Sequence, residues 1–105
     1  MSTEIKAEIE KYVDFISSLP GVLRIYLFGS YASGESRKTS DIDLMIVVEN
    51  NLDPFKTAYM IRRGLTDTNY ALDIVVNRLS AFEEASAKSS FQKSVKENGV
   101  LLYAA

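Results

Sequence analysis

The sequence predicts a single α+β domain, residues 1–105, in which helices and strands alternate around a central mixed sheet with the helices packed on it. Apolar residues recur at helical spacing between Thr3 and Ser18, whereas residues 22–28 and 42–48 are short runs rich in β-branched and aromatic side chains. Such alternation along the chain is the pattern of a layered domain. A length of 105 residues without repeats or linkers is enough for one core.

Composition excludes several kinds of chemistry. Twelve basic and fourteen acidic side chains give a net charge of −2, so direct binding of nucleic acid through a basic surface is not expected. The chain has no cysteine and no histidine, which rules out zinc–thiolate sites and Ser/His/Asp catalysis within it. Any chemistry must therefore use carboxylates, hydroxyls, amines or metals that prefer oxygen ligands.

Hydropathy and size set expectations for location and assembly. No apolar stretch approaches the roughly 18 residues that a membrane span needs, and the N-terminus lacks the basic-then-apolar pattern of a signal peptide. The sequence therefore predicts a cytoplasmic protein without membrane contact. Its size is near the lower limit for an enzyme with a self-sufficient cleft, which is compatible with a homo- or hetero-oligomer.

The first helix and strand lead to a turn of small residues. The helix expected over residues 3–18 ends at Leu19-Pro20-Gly21, because proline disfavours helix in the residue before it. The strand expected over residues 22–28 ends at Gly29, and Ser30 to Ser33 predict a short helix whose first amides face a phosphate. Taken alone, Gly29-Ser30 favours a plain tight turn, and only the carboxylates that follow favour phosphate binding.

Two carboxylates open the second strand, which is expected over residues 42–48. Asp41 and Asp43 are two residues apart, so on an extended segment both side chains point to the same face and invite a cation. In the polar loop before them, Arg37 and Lys38 are interpreted either as a solvated loop tip or as contacts to a triphosphate or an acceptor.

Asp53-Pro54 predicts a helix start, with Asp53 as the N-cap rather than a metal ligand. The helix is expected to end near Thr66 and to bury one apolar stripe. Arg62 falls within that stripe, so either its stem packs while its charge reaches water, or it contacts an anion or a partner. The stripe consists of Phe55, Ala58, Tyr59, Ile61 and Leu65.

The third strand, expected over residues 70–76, is apolar except for Asp73. Because a carboxylate among buried residues is usually paired or bound to a metal, Asp73 is the predicted third ligand. The alternative is an aspartate that faces solvent on an edge strand. If this strand neighbours residues 42–48, a spacing of about 4.8 Å brings the carboxylates within reach of a shared ion, for which hard oxygens favour Mg²⁺ or Mn²⁺.

The C-terminal part predicts one long helix and a final strand. Ser80-Ala81-Phe82-Glu83 matches a capping box, and the helix is expected to continue to about Asn98, where Gly99 stops it. Residues 100–103 predict a short edge strand.

Two motifs together carry a family resemblance. Gly-Ser-x-Ala-x-Gly at residues 29–34, followed by Ser-Asp-x-Asp-Leu at residues 40–44, resembles the signature of the nucleotidyltransferase superfamily that shares the DNA polymerase β palm. Length and layout resemble its minimal members, the MNT proteins paired with a HEPN partner in toxin–antitoxin systems. The resemblance implies the nucleotidyltransferase fold and transfer of a nucleoside monophosphate, usually AMP from ATP, to a hydroxyl.

The resemblance also implies roles for individual residues. Asp41 and Asp43 would join Mg²⁺ or Mn²⁺ to the triphosphate. The Gly29 amide and the Ser30 hydroxyl would bind the terminal phosphates. Asp73 would hold a second metal ion and help to deprotonate the acceptor.

One residue departs from the family pattern: Ser33 stands where the family commonly has arginine, which affects triphosphate binding or loop contacts, and Arg37 is a candidate replacement. The acceptor implied by the resemblance is a tyrosine hydroxyl of a HEPN toxin, so that the chain would act as an antitoxin. A protein acceptor is favoured because no further helical domain of the kind found in small-molecule transferases is expected. The competing class is a binding module that neutralises a toxin by contact without catalysis.

Overall fold

A computed structural model describes residues 1–37 and 39–105, so the prediction made for Lys38 lies outside the described residues. Helices and strands alternate through the first six elements, and two helices then precede the last strand. The elements in chain order are α1 (Thr3–Ser17), β1 (Val22–Phe28), α2 (Ser30–Ser33), β2 (Ile42–Val48), α3 (Pro54–Gly64), β3 (Leu72–Arg78), α4 (Leu79–Ser86), α5 (Phe91–Asn98) and β4 (Val100–Ala104).

The four strands form one sheet in the order β3-β2-β1-β4. β1 is antiparallel to both β2 and β4, whereas β2 and β3 are parallel. The predicted α+β fold with a mixed central sheet is therefore confirmed. In this order β3 and β4 are the edge strands, and β2, which follows Asp41, lies inside the sheet.

The two faces of the sheet carry different helices. Alternate residues of β2, from Ile42 to Val48, face a core that includes buried residues of α1 and Ile61 of α3. The residues between them, Met45 and Val47, face a second cluster with Phe82 of α4 and Val95 of α5. Because side chains alternate along a strand, Asp43 belongs to the face that α4 and α5 cover.

The single helix predicted over residues 80–98 is wrong, because the chain forms two helices, α4 and α5, separated at residues 87–90. Ser90 caps the second helix, its hydroxyl accepting a hydrogen bond from the Lys93 amide at 3.1 Å. Serine side chains compete for backbone groups and so favour a break at such a segment. The predicted capping box is also wrong: the N-cap is Arg78, two residues before Ser80, and the Ser80 amide donates to Asn50 Oδ1 at 2.8 Å.

Glu83 of α4 ties both C-terminal helices to the sheet. Its carboxylate accepts hydrogen bonds from Arg24 of β1 at 2.7 Å and from Lys96 of α5 at 2.8 Å. Since all three side chains are partly exposed, we expect a modest contribution to stability. The pairing thus links α4 and α5 to β1 in addition to the packing of Val95 in the core.

The apolar stripe predicted for α3 is partly wrong. Phe55 is 86% exposed and Tyr59 is 62% exposed, whereas Ile61 is fully buried. The buried line runs through Thr57 and Ile61, and residues two positions before or after lie about 200° away around the helix. The predicted cap is confirmed, since Asp53 Oδ1 accepts a hydrogen bond from the Phe55 amide at 2.9 Å.

A buried carboxylate on α1 fixes the loop before β3. Glu8, 6% exposed, accepts hydrogen bonds from the Tyr12 hydroxyl and from the Asn69 amide, the latter at 2.8 Å. Lys11 pairs with Glu8 at 3.1 Å and donates to the Asp67 carbonyl at 2.9 Å. These bonds hold the loop in place. The strand that was predicted over residues 70–76 begins after the loop, at Leu72, and ends at Arg78.

Glu8 should make stability fall at low pH. Burial raises the pKa of Glu8, but hydrogen bonds from Tyr12, Asn69 and Lys11 outweigh it and lower the pKa from 4.5 to about 2. The carboxylate therefore stabilises the fold above the unfolded-state pKa, and this contribution is lost as the pH falls from about 4.5 through about 2. In urea unfolding, we expect Glu8→Gln to cost about 2–3 kcal/mol at pH 7 and much less at pH 2.5.

Glu10, an exposed carboxylate on the same helix, provides the matched control. Glu10→Gln should leave the free energy of unfolding nearly unchanged at both pH values. A Glu8→Gln cost that stays the same between pH 7 and pH 2.5 would contradict the role assigned to the ionised carboxylate.

Candidate active site

The turn after β1 brings the backbone against a carboxylate. Gly29 has φ +76° and ψ −155°, a conformation that only glycine adopts without strain. A Cβ atom at this position would overlap the carboxylate of Asp43. Glycine is therefore required here both by the backbone conformation and by the close approach of Asp43. The short helix predicted over Ser30–Ser33 follows directly as α2.

Sheet register places the aspartates of two strands side by side. Asp43 lies opposite Phe28 of β1 on one side and opposite Asp73 of β3 on the other. Residues opposite each other in a sheet share a face, and neighbouring strands are about 4.8 Å apart. Asp41 lies one residue before β2, and its negative charge is close enough to raise the pKa of Asp43. The structure thus groups the three predicted carboxylates at one end of the sheet, next to Gly29.

The pKa of Asp43 reflects how close the other two aspartates lie. Burial raises the pKa of Asp43, and the negative charges of Asp73 and Asp41 raise it further. Asp43 is half-buried, whereas Asp41 and Asp73 are exposed. These two negative charges disfavour the ionised form of Asp43, and a bound cation would relieve that repulsion.

Carboxylate oxygens are the ligands that hard divalent cations prefer. Across residues 1–37 and 39–105, no three acidic side chains are gathered tightly enough to form a finished metal site. Binding of one ion by all three would require the exposed side chains of Asp41 and Asp73 to turn toward Asp43. Asp73 is solvent-exposed on an edge strand, which is what the alternative interpretation predicts. Its role as a metal ligand remains a prediction.

A cavity of about 230 Å³ adjoins the Gly29 turn between α2 and α5. Ser33, the residue that departs from the family pattern, lines it, and its hydroxyl donates to the Ser30 carbonyl at 3.2 Å. Arg37 lines a different cavity, of about 380 Å³, beside Tyr31, Tyr70 and the start of α1. The suggestion that Arg37 replaces the missing arginine remains a prediction, and the two side chains line separate cavities.

Sequence reasoning missed the α5 side of this cavity. Phe91 packs edge-on against Phe28 with ring centroids 5.1 Å apart, and Ser94 and Asn98 line the same wall. The predicted uninterrupted helix gave no reason to place these residues beside Gly29. The serine-rich segment at residues 86–90 was the available indication of a break.

In the described part of the chain, every helix is too short or too polar to cross a bilayer. This agrees with the hydropathy of the sequence.

The fold and the grouped aspartates beside a glycine–serine turn define a nucleotide-transferring class of protein, as the motifs implied. A comparison with protein families matches residues 10–105 to the family described as Polymerase beta, Nucleotidyltransferase. The chain therefore belongs to this nucleotidyltransferase family.

Relatives in Methanocaldococcus jannaschii are similar in sequence. One, named "Putative protein adenylyltransferase", is 33% identical over 88 residues, which cover 78% of this chain and 79% of the relative. A second protein of that organism with the same descriptive name is 38% identical over 58 residues, or 55% of this chain and 58% of the relative.

Solved structures share the fold. A "putative nucleotidyltransferase" from Sulfolobus solfataricus superposes with a TM-score of 0.64 at 24% identity, covering 99% of this chain and 89% of that one. A crystal structure described as a toxin–antitoxin with AMP-PNP gives a TM-score of 0.52 at 22% identity, covering 95% and 73%. At these identities the likeness establishes the fold alone.

Proposed function

We propose that this chain is a metal-dependent adenylyltransferase that moves AMP from ATP onto a hydroxyl of a partner protein. The observation that carries the proposal is the register that sets Asp43 opposite Asp73, with Gly29 against the Asp43 carboxylate. Membership of the nucleotidyltransferase family and the names of the archaeal relatives support it.

The three aspartates have distinct proposed tasks. Asp41 and Asp43 hold Mg²⁺ or Mn²⁺, and Asp73 completes the ligand set from the neighbouring strand. When bound, such ions supply positive charge that stabilises the attacking and leaving oxygens of a phosphoryl displacement. Asp73, which is exposed on the edge strand β3, also takes the proton of the acceptor hydroxyl.

The Gly29 turn is proposed to receive the terminal phosphates. With no side chain at Gly29, the backbone lies close to the Asp43 carboxylate, and the Ser30 hydroxyl has no hydrogen-bond partner among the described residues. In the reaction the acceptor oxygen bonds to the α-phosphorus, the bond from that phosphorus to the bridging oxygen breaks, and pyrophosphate leaves. Orientation of the triphosphate by this turn would align the leaving group.

The acceptor is proposed to be a tyrosine of a HEPN toxin, which would make the chain an antitoxin. This part depends on the resemblance to MNT proteins. The exposed aspartates lie at an open end of the sheet, where a protein segment could approach.

Mass spectrometry tests this proposal. The product of the neighbouring gene, as the candidate toxin, is incubated with the chain, ATP and Mg²⁺, and we expect its mass to rise by one adenylyl group per modified tyrosine. The same mixture with EDTA should show no change. A partner that binds the chain yet keeps its mass with Mg²⁺ present would support the binding-module class instead.

A further inference from the structure

The geometry points to a docking site for the acceptor: an extended segment of the partner protein adds to the free edge of β3 as a fifth strand and so presents its hydroxyl to Asp73. The inference deepens the proposed function and rests on it for the identity of the transferred group. The docking mode itself rests on the sheet edge, its adjoining cavity and the position of Asp73.

The outward-facing backbone groups of β3 can be assigned from one hydrogen bond. The Ile42 amide of β2 donates to the Ala71 carbonyl at 2.8 Å, so the backbone groups of Ala71 and of every second residue after it face β2. Those of Leu72, Ile74 and Val76 consequently face away from the sheet. In residues 1–37 and 39–105, no hydrogen bond reaches the backbone of Leu72 or Ile74 from that side.

The open part of this edge is short and centred on Asp73. At its far end the Asn77 side chain donates to the Val76 carbonyl at 3.0 Å, which caps the edge there. The uncapped residues, Leu72 and Ile74, are the two neighbours of Asp73. A strand that pairs with them places one of its own residues directly opposite Asp73 on the same face.

Both faces of β3 have room for the side chains of an added strand. Ile74, Val75 and Val76 are only half-buried, although the residues opposite them in β2 are fully buried. The side chains of an added strand would cover the exposed parts of these three residues. Main-chain bonds would supply affinity and alternate side chains would supply specificity, as in other cases of strand addition.

A cavity on the face opposite Asp73 indicates the preferred neighbouring residue. It measures about 140 Å³ and is lined by Leu72, Ile74, Leu65, Thr68 and Arg62. Because side chains alternate, the residues before and after the one opposite Asp73 point toward this cavity. The exposed Arg62 guanidinium at its wall favours a carboxylate, so we expect an acidic residue next to that position.

Tyrosine fits this register at a diagonal position. A residue directly opposite Asp73 has its Cβ about 5 Å away, and the diagonal neighbours are about 7–8 Å away, within reach of an aromatic side chain. A tyrosine two residues from the opposing residue can therefore bring its hydroxyl to the carboxylates. The acceptor expected is an extended segment with a tyrosine and a nearby acidic residue on the other face.

The test uses a synthetic ten-residue peptide of alternating Thr and Val with a central Tyr and a flanking Glu. Ile74→Pro removes an amide that the fold leaves unused, and proline is tolerated on the outer side of an edge strand. We expect it to raise the KM for the peptide about tenfold or more, the effect of about one or two lost hydrogen bonds. Ile74→Ala, which keeps the amide, is the matched control for lost packing.

Two further measurements test the docking site separately from the proposed reaction. Adenylyl transfer to N-acetyl-tyrosine amide, which cannot form a strand, should be equal in the wild type and Ile74→Pro. Two versions of the peptide, each N-methylated on one of the two alternating sets of residues, should differ in KM, because the amides of only one set face β3. Equal KM values for the two versions, or for Ile74→Pro and Ile74→Ala, would overturn the inference.

Hydrogen exchange tests the docking mode independently of catalysis. With the peptide at saturating concentration, the Leu72 and Ile74 amides should gain protection, and the edge strand β4 should gain none. Protection without adenylyl transfer would retain the docking site and reject the proposed reaction. No protection at Leu72 and Ile74 would reject the docking site even if transfer occurs.

Discussion

Asp43→Asn is expected to lower metal-dependent transfer of labelled AMP by about a thousandfold, with Asp41→Asn similar. Loss of a carboxylate that holds the cation removes several kcal/mol of charge stabilisation, and each 1.4 kcal/mol is about tenfold in rate. The measurement is incorporation of label from [α-³²P]ATP into the acceptor at saturating Mg²⁺.

Stability distinguishes this loss from misfolding. Burial and the charges of Asp73 and Asp41 raise the pKa of Asp43, so its ionised form is unfavourable in the fold. Asp43→Asn should therefore unfold at the same or a slightly higher urea concentration. Asp14→Asn, an exposed carboxylate of α1, is the control and should change neither quantity. Full incorporation by Asp43→Asn would reject the assigned ligand set.

Gly29→Ala is expected to cost about 3 kcal/mol or more of stability and to remove transfer activity. Both the positive φ and the overlap of the new methyl group with the Asp43 carboxylate oppose alanine at this position. To relieve the overlap, either the turn or Asp43 must move, and each belongs to the proposed site. Urea unfolding and the incorporation assay measure the two effects.

Gly34 offers a matched control in the same motif. Its φ is +82°, but a Cβ atom there meets nothing within 4 Å. Gly34→Ala should therefore cost only about 1–2 kcal/mol, from backbone strain alone. In an Asp43→Ala background the cost of Gly29→Ala should shrink, because the overlapping group is gone. An equal cost in both backgrounds would contradict the contact between Gly29 and Asp43.

Local sequence patterns predicted most of the elements because each pattern depends on neighbouring residues only. The apolar spacing of α1, the run of residues 22–28 and the Asp53-Pro54 cap need no tertiary information. Predictions failed where distant contacts decide the outcome. Phe55 and Tyr59 were predicted from spacing to be buried with Ile61, but the buried line of α3 runs through Thr57 and Ile61 and leaves Phe55 and Tyr59 exposed.

The candidate site shows the same difference between what local sequence predicts and what the fold adds. Residue types and local spacing were enough to find the available groups: a Gly-Ser turn, a pair of carboxylates two residues apart, and a third carboxylate in an apolar run. They could not show that Asp73 lies opposite Asp43, that the Gly29 backbone meets the Asp43 carboxylate, or that β3 is an edge, all of which depend on the folded sheet. This division arises because side-chain periodicity is local, whereas strand order and register follow from packing between residues about thirty positions apart.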